Sequence, residues 1–413
     1  MHMSENNLTL REGRAKDEKI AKKMWCELFK DSERENDYYF ENIYDDKNLS
    51  LGEIKKSKKI VTLLHKNPYI LVINKKEFPT YYFVGIGTNL EDQGKGYMDQ
   101  LLRYSLRKSK DNKKDIIFLM PIDSRIYKKY GFGYISNLEI YKTKCERVSQ
   151  IKIPKNINIE QITSASQTGK YGELSQIYDK RTQSFLVKLK RDNSYYENIV
   201  KESEILNGRI YIIYEKEIPM GYFIFYLIEN KILVREIILL NTQYYKMVIS
   251  FISRLINYYE KIEIMSQENS NLNFYVDNQL DITKEIKPFI MARILEPLNI
   301  LNGLSLKFDK QNIDDIKIFI EDDILEENTG IYSISKDKIH FTKKNLGDYH
   351  FKTNIENLSS MILGYFNLNE MRELNKIEIN HKYFEKINKN SGEIIEKINL
   401  MFANGINYIQ EYQ

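Results

Sequence analysis

One stretch limits the fold of this 413-residue chain more than any other: Thr88-Asn89-Leu90-Glu91-Asp92-Gln93-Gly94-Lys95-Gly96-Tyr97-Met98. Before it, Tyr81-Tyr82-Phe83-Val84-Gly85-Ile86 is aromatic and β-branched, the composition of a strand. After it, Tyr97, Met98, Leu101, Leu102 and Ser105 share one face at helical spacing, which predicts a helix over 95–109. Asp115-Ile116-Ile117-Phe118-Leu119-Met120 then runs nearly all apolar, as a strand buried on both faces does. Strand, turn, helix and buried strand make a βαβ unit with a parallel pair. Such a turn leaves backbone N–H groups unpaired at a helix start, and with the helix dipole behind them they form an anion site suited to a pyrophosphate. Gly94 and Gly96 would let the backbone approach phosphates without a Cβ in the way. The same glycines also suit a plain tight turn, and spacing alone leaves both uses open.

A chain of this length exceeds one ordinary core, so two or three domains are expected. With 42% apolar and 29% charged residues it is globular rather than disordered. Its 62 basic and 58 acidic residues leave only +4, which argues against a strongly basic nucleic-acid binder. Two cysteines, Cys26 and Cys145, fit a reducing cytoplasm without a disulfide framework. The polar start Met1-His2-Met3-Ser4-Glu5-Asn6 has no apolar signal core, and no run reaches the roughly 18 apolar residues of a membrane span. The five histidines are scattered without ligand spacing, so no metal site is expected.

Along the chain, Ile20, Met24, Leu28 and Phe29 predict a helix over 17–31. Glu27 and Asp31 lie on its outer side or at its end, either as a solvated face or as a carboxylate rim for a cationic amine. Strands are predicted at 60–65, 69–75 and 79–86, with Lys66-Asn67-Pro68 and Lys75-Lys76-Glu77 as the turns, and again at 133–143. After a polar connector at 146–158 the order repeats: helices at 171–186 and 193–205, strands at 209–215, 220–228 and 231–240, a helix at 243–260, and a strand at 262–265. Where the first unit has Gln93-Gly94-Lys95-Gly96, the second has Asn241-Thr242-Gln243-Tyr244-Tyr245, so a duplicated fold without the phosphate turn is expected. From Pro288 the style changes to strands near 304–308, 315–320, 330–334 and 337–342, then helices at 357–366, 369–376 and 381–388, an α+β pattern. The last residues, Gly405 to Gln413, carry Ile406, Tyr408, Ile409 and Tyr412, and either simply pack or set the terminal carboxylate at a specific place.

These segments resemble the GNAT superfamily of acetyltransferases and, within it, the enhanced-intracellular-survival (Eis) family. Gln93 and Gly96 match the superfamily's Q/R-x-x-G-x-G/A pattern, with Met98 where a small residue is usual. Ile126-Tyr127-Lys128-Lys129-Tyr130-Gly131-Phe132 is similar to the family's [FIL]-Y-x-[RK]-[FY]-G-[FY] segment. Pro288–Ile294 resembles the junction into its third domain, and Leu363-Gly364-Tyr365 its "LGY" helix. The resemblance implies a mixed α+β chain: a GNAT domain at 1–147, a degenerate GNAT domain at 148–290, and a sterol-carrier-protein-like domain at 291–413.

It also implies acetyl-CoA as co-substrate, with no metal. Ile86, Gly87 and Thr88 would hold the pantetheine, Gln93, Gly94, Lys95, Gly96, Tyr97 and Met98 the pyrophosphate, with Ile122 and Asp123 beside them. Tyr127 falls at the family's general-acid position, although the same residue would serve as a core aromatic on a short helix. The Gln413 carboxylate would be the base, provided that burial raises its pKa from about 3.5. The implied activity is acetyl transfer to primary amines of a small cationic acceptor such as an aminoglycoside, with Glu27 and Asp31 as candidate contacts, in a cytoplasmic hexamer. A lysine acetyltransferase acting on proteins or peptides, or a non-catalytic acetyl-CoA-binding module, fits the same residues.

Overall fold

The computed structural model describes residues 7–29, 31–166, 169–255, 258–304, 315–335, 338–343, 347–402 and 405–412. The first part of the chain forms β1 (Leu8–Glu12), α1 (Glu18–Leu28), α2 (Glu33–Asn42), β2 (Leu49–Ile54), β3 (Ile60–Ile73), β4 (Lys76–Thr88), α3 (Tyr97–Asp111), β5 (Ile116–Leu119), α4 (Ser124–Lys128) and β6 (Gly133–Lys144). β4 and β5 pair in parallel, as the βαβ reading requires. α3 buries Leu101, Leu102 and Ser105, the face that the spacing predicts. α1 buries Ala21, Met24 and Trp25 on one face, and Trp25 lies where a Cβ on Gly85 of β4 would be.

Two strands replace the three expected between 60 and 86. Lys66-Asn67-Pro68 is no turn but the middle of β3, paired to Phe83, Tyr82 and Tyr81. Proline is tolerated there because no strand pairs with the opposite edge of β3 at that point among the described residues: β2 pairs only as far as His65, and β8 begins at Leu71. The hairpin turn is Asn74-Lys75, one residue earlier than expected, and both residues have positive φ, as a two-residue turn of this twist demands.

The second part forms β7 (Ile157–Ile162), α5 (Gly169–Thr182), β8 (Val187–Leu189), α6 (Asn193–Ile205), β9 (Gly208–Glu215), β10 (Ile218–Ile228), β11 (Lys231–Leu239), α7 (Tyr244–Ser253), β12 (Lys261–Ser266) and β13 (Ile282–Ile294). β11 and β12 repeat the parallel pairing, and Tyr244 and Tyr245 are buried in the first turn of α7, filling the place of the glycine turn. Pro288–Ile294, expected to lead into the third domain, does so as the second half of β13. That strand inserts between β5 and β6, so both parts share one sheet of fourteen strands among the described residues. Pro288 sits beside a register shift, where a missing donor does least harm.

The third part forms α8 (Pro297–Gly303), β14 (Ile316–Glu321), β15 (Gly330–Ile334), β16 (Ile339–Thr342), β17 (Phe351–Asn354), α9 (Ile355–Ile362), α10 (Leu368–Glu373), β18 (Glu378–Ile379), α11 (His381–Lys386), α12 (Ser391–Met401) and β19 (Asn407–Tyr408). β14 to β18 make a second sheet. The strand expected at 304–308 lies outside the described residues apart from Leu304. The "LGY" segment is a helix end rather than a helix: α9 stops at Ile362, and Gly364 at φ +82° terminates it.

The core of this third part is continuous with the α1 face of the first, joining Trp25, Tyr82 and Phe118 to Ile318, Leu358 and Ile395. The chain then returns through β19, which pairs in parallel with β8, itself paired to β3. No helix among the described residues is long and apolar enough to cross a membrane.

Candidate active site

β4 parts from β5 just where the glycine turn needs room. The ladder between them runs only from Thr80–Ile116 to Tyr82–Phe118. From Phe83 to Thr88, β4 has no strand partner on that side among the described residues. The Asn89 amide donates to Val61 of β3, and strand alternation turns the neighbouring Thr88 amide to the open side. Unpaired strand edges take up extended ligands by main-chain hydrogen bonds. Gly87 rests against Leu28 of α1, whose Cδ1 lies 2.6 Å from where a Cβ would stand.

The strand continues into the turn that was expected. Gly94 and Gly96 have φ of +75° and +76°, and a Cβ at either would meet nothing within 4 Å. Glycine is therefore needed here for its backbone angle, and the space above it is open. The turn is tied down from below. Gln93 Nε2 donates to the Thr88 carbonyl at 3.2 Å, and Asp92 accepts from Lys95 at 2.7 Å and from Lys59 at 3.0 Å. The two ammonium groups hold the Asp92 carboxyl below its ordinary pKa, Lys95 contributing most. The amides of Lys95, Gly96, Tyr97 and Met98 have no acceptor among the described residues and stand at the N-terminus of the 15-residue helix α3. This geometry fits a pyrophosphate.

Tyr127 lies on the α3 side of the sheet, clustered with Phe83, Ile86, Met98 and Phe132. α4 is capped by Asp123, whose carboxylate accepts from the Arg125 amide and side chain, while Ile122 beside it is 85% exposed. Burial, helped by the Asp123 charge, pushes the Tyr127 pKa up to about 12, so the hydroxyl keeps its proton. It has no hydrogen-bond partner among the described residues. Of the expected site residues, the structure thus gathers the cofactor candidates Ile86 and Met98 with the general-acid candidate Tyr127 in one cluster, and Thr88 and Gln93–Met98 along one rim.

On the opposite face, a cavity of about 880 Å³ lies between the first and second parts of the chain. Its floor is the stretch of β3 from Asn67 to Ile70, and Met120 just past the end of β5 brings it to the parting strands. α2 and α6 form walls through Tyr38, Tyr39, Tyr195 and Glu202, with Arg235 of β11 beside them. The tail closes it with Glu411 and Tyr412. A smaller space of about 450 Å³ adjoins it across Glu35, Glu202, Arg235 and Tyr412.

Asp31 lines the larger cavity and accepts from Trp25 Nε1 at 3.0 Å. Glu27 stands apart from it, exposed on α1 with Lys23 as its ion partner, because helix periodicity turns it away from the buried Trp25 face. Gln413 lies outside the described residues.

Most of the cavity wall was hidden from local reading, since α2, α6, β11 and the tail meet only in the tertiary fold. One signal pointed to it: an apolar chain end carrying a carboxylate, Glu411, between Gln410 and Tyr412. That tail is buried. Asn407 Oδ1 accepts from the Val187 amide at 3.1 Å, and its Nδ2 donates to the carbonyls of Ile135 and Leu363. Glu411 meets the hydroxyl of Tyr195 at 2.7 Å and Arg191 at 3.3 Å.

Comparison with known proteins agrees with this geometry. Acetyltransferase (GNAT) domain families match residues 9–135 and 188–294, and a sterol carrier protein domain family matches 300–409. The chain is a tandem-GNAT acetyltransferase with a sterol-carrier-protein-like third domain. Among solved structures, a probable N-acyltransferase from Enterococcus faecalis V583 aligns at 16% identity and TM-score 0.83, covering 98% of this chain and 99% of the other. A GCN5-related N-acetyltransferase from Anabaena variabilis aligns at 16% identity and TM-score 0.81, covering 98% and 100%. Eis1 from Mycobacterium abscessus aligns at 12% identity and TM-score 0.73, covering 98% and 99%. None of the curated proteins compared by sequence matches the chain. The tandem GNAT domains imply acetyl-CoA as co-substrate, and the open amides of the first domain's turn suit its pyrophosphate.

Proposed function

We propose that the first GNAT domain binds acetyl-CoA along the parted edge of β4, and that the cavity on the far face presents a primary amine of a small cationic acceptor, such as an aminoglycoside. Acetyl-CoA supplies an activated thioester. One observation carries the reading: the strands part between an amide-lined turn on one face and a carboxylate-bearing cavity on the other. Asp31, Glu35, Glu202 and Glu411 give that cavity its affinity for ammonium groups, and the rings of Trp25, Tyr38 and Tyr39 add cation–π contact. The parted strands orient the thioester, and holding both reactants there supplies much of the acceleration.

Tyr127, protonated throughout, is the general acid for the leaving sulfur. The burial that weakens it as an acid also raises the proton affinity of a desolvated thiolate, so donor and acceptor are matched.

Thiol release from acetyl-CoA, measured with aminoglycosides, polyamines and lysine peptides, tests this proposal. Tyr127→Phe is expected to lower kcat roughly 100-fold while acetyl-CoA affinity stays within a factor of about three. Turnover confined to lysine peptides would replace the small-molecule acceptor with a protein one. Absence of acetyl-CoA binding would end the proposal.

A further inference from the structure

Among the described carboxylates lining the acceptor cavity, only Glu411 is buried, at 2% exposure. Asp31, Glu35 and Asp192 are exposed, and Glu202 is half-buried and paired to Arg235 at 2.8 Å. Glu411 is also fixed in place. Its Oε1 accepts from the Tyr195 hydroxyl at 2.7 Å and from Arg191 at 3.3 Å, while Oε2 has no hydrogen-bond partner among the described residues. Its backbone carbonyl accepts from the hydroxyl of Tyr82 at 3.4 Å. Tyr82 is the last residue of β4 still paired to β5, so the glutamate is anchored where the strands part.

We propose that the Glu411 side chain, two residues before the chain's last residue, is the base that takes the proton from the acceptor ammonium. The assignment rests on the acetyl-transfer reading. Arg191 does not neutralise this carboxylate alone, because Glu236 holds the same guanidinium more closely, at 2.7 Å. Around it, the three carboxylates Glu202, Glu236 and Glu411 face the two guanidiniums Arg191 and Arg235. The cluster therefore keeps one uncompensated negative charge, which draws a cation or a proton. Burial pushes the Glu411 pKa up from the ordinary carboxylate value, against the pull of Arg191, Arg235 and the Tyr195 hydrogen bond. A strongly acidic carboxylate makes a poor base, and this shift is in the useful direction.

In the reaction, one ammonium proton passes to Glu411 Oε2 and frees the nitrogen lone pair. The amine attacks the thioester carbonyl, the C–N bond forms, and the C–S bond breaks as sulfur receives the Tyr127 proton. The second nitrogen proton leaves as the amide forms and restores Tyr127. Glu411 passes its own proton to water, so one proton is released per acetyl group transferred.

The test is the pH profile of kcat/KM for thiol release from acetyl-CoA, with a polyamine and an aminoglycoside as acceptors. It compares the full-length wild type, Glu411→Gln, Glu411→Asp and a chain lacking Gln413. Glu411→Gln preserves shape and is expected to fall about 100-fold at neutral pH, then recover as the pH approaches that of the free amine. Glu411→Asp, which keeps the charge, is expected to retain the wild-type acidic limb at reduced rate, and deleting Gln413 to leave that limb in place. A purely structural role would lower the rate of Glu411→Gln equally at every pH, and that result would overturn the assignment. So would a wild-type profile in Glu411→Gln together with loss of the limb on deleting Gln413. If Glu411→Gln fails to fold, as judged by thermal unfolding and acetyl-CoA binding, the aspartate variant decides: a lost limb overturns the assignment and a retained one supports it. Absence of thiol release from the wild type would overturn the transfer reading and this assignment together, whereas wild-type turnover with an unchanged Glu411→Gln profile would overturn the assignment alone.

Discussion

His65 and His350 are both buried, and each uses a ring nitrogen as a hydrogen-bond acceptor. The Nε2–H of His65 donates to the Asp45 carbonyl at 3.0 Å, which leaves Nδ1 to accept the Tyr39 hydroxyl proton. His350 Nδ1 accepts from the Lys317 amide at 2.9 Å. Protonating either ring would turn an acceptor into a donor facing a donor. Burial, the largest cause in both, lowers each pKa from 6.5 to about 4. The unfolded chain therefore binds more protons than the native one between those values, and stability is full above about pH 6.5 and falls as the pH drops towards 4. A full shift of this size corresponds to about 3 kcal/mol for each histidine. Urea midpoints measured from pH 7 to 4 should show this slope, and His65→Gln, which can still accept from Tyr39, should reduce it by about half. A slope unchanged in that variant would mean that other groups govern acid unfolding.

The β4–turn–α3–β5 unit could be read from sequence because its signals are local: an aromatic strand, two glycines, and an apolar face at helical spacing. Its glycines nonetheless serve different ends, and substitution should separate them. Gly94 and Gly96 need only a positive φ in open space, so alanine at either should cost about 1–2 kcal/mol of strain and weaken acetyl-CoA binding by distorting the turn. Gly85 combines φ +58° with a Trp25 ring atom 2.0 Å from where its Cβ would be. Alanine there should add overpacking of about 1–3 kcal/mol to the strain. Denaturant unfolding of Gly85→Ala and Gly94→Ala checks that order, and equal losses would refute it. What could not be read locally was pairing. Proline at Lys66-Asn67-Pro68 signals a break, and nothing in the neighbouring sequence reveals that the β2 and β8 ladders stop short of it on either side. β13 pairs with strands more than 130 residues earlier, and no periodicity within Ile282–Ile294 names its partners. The acceptor cavity escaped for the same reason. Asp31 was found beside a recognisable helix, whereas Tyr195, Glu202 and Arg235 reach the cavity only when the second GNAT domain docks.

Across the whole chain, the tail works as a joint before it works as a wall. Asn407 meets β8 through Val187, β6 through Ile135, and the end of α9 through Leu363, so one side chain ties together the first GNAT domain, the second and the sterol-carrier-like domain. It is 6% exposed, so removing its amide strands one buried N–H and two buried carbonyls. Each such orphan costs about 1–3 kcal/mol when water cannot reach it, and relaxation of the strand pair will recover part of that. Asn407→Ala should therefore destabilise the protein by at least about 2 kcal/mol, although the residue touches neither the glycine turn nor Tyr127. Its effect on turnover should follow from geometry. Loosening β19 frees the segment that carries Glu411 and Tyr412, while the pyrophosphate turn, which Asn407 does not touch, keeps its shape. Asn407→Ala should then bind acetyl-CoA as the wild type does but turn over an amine more slowly, and amide exchange should quicken along 405–412 before it quickens in α3. Equal loosening of α3 and the tail would instead mean that the three domains unfold as a single unit, and that the tail has no separate control over the acceptor cavity.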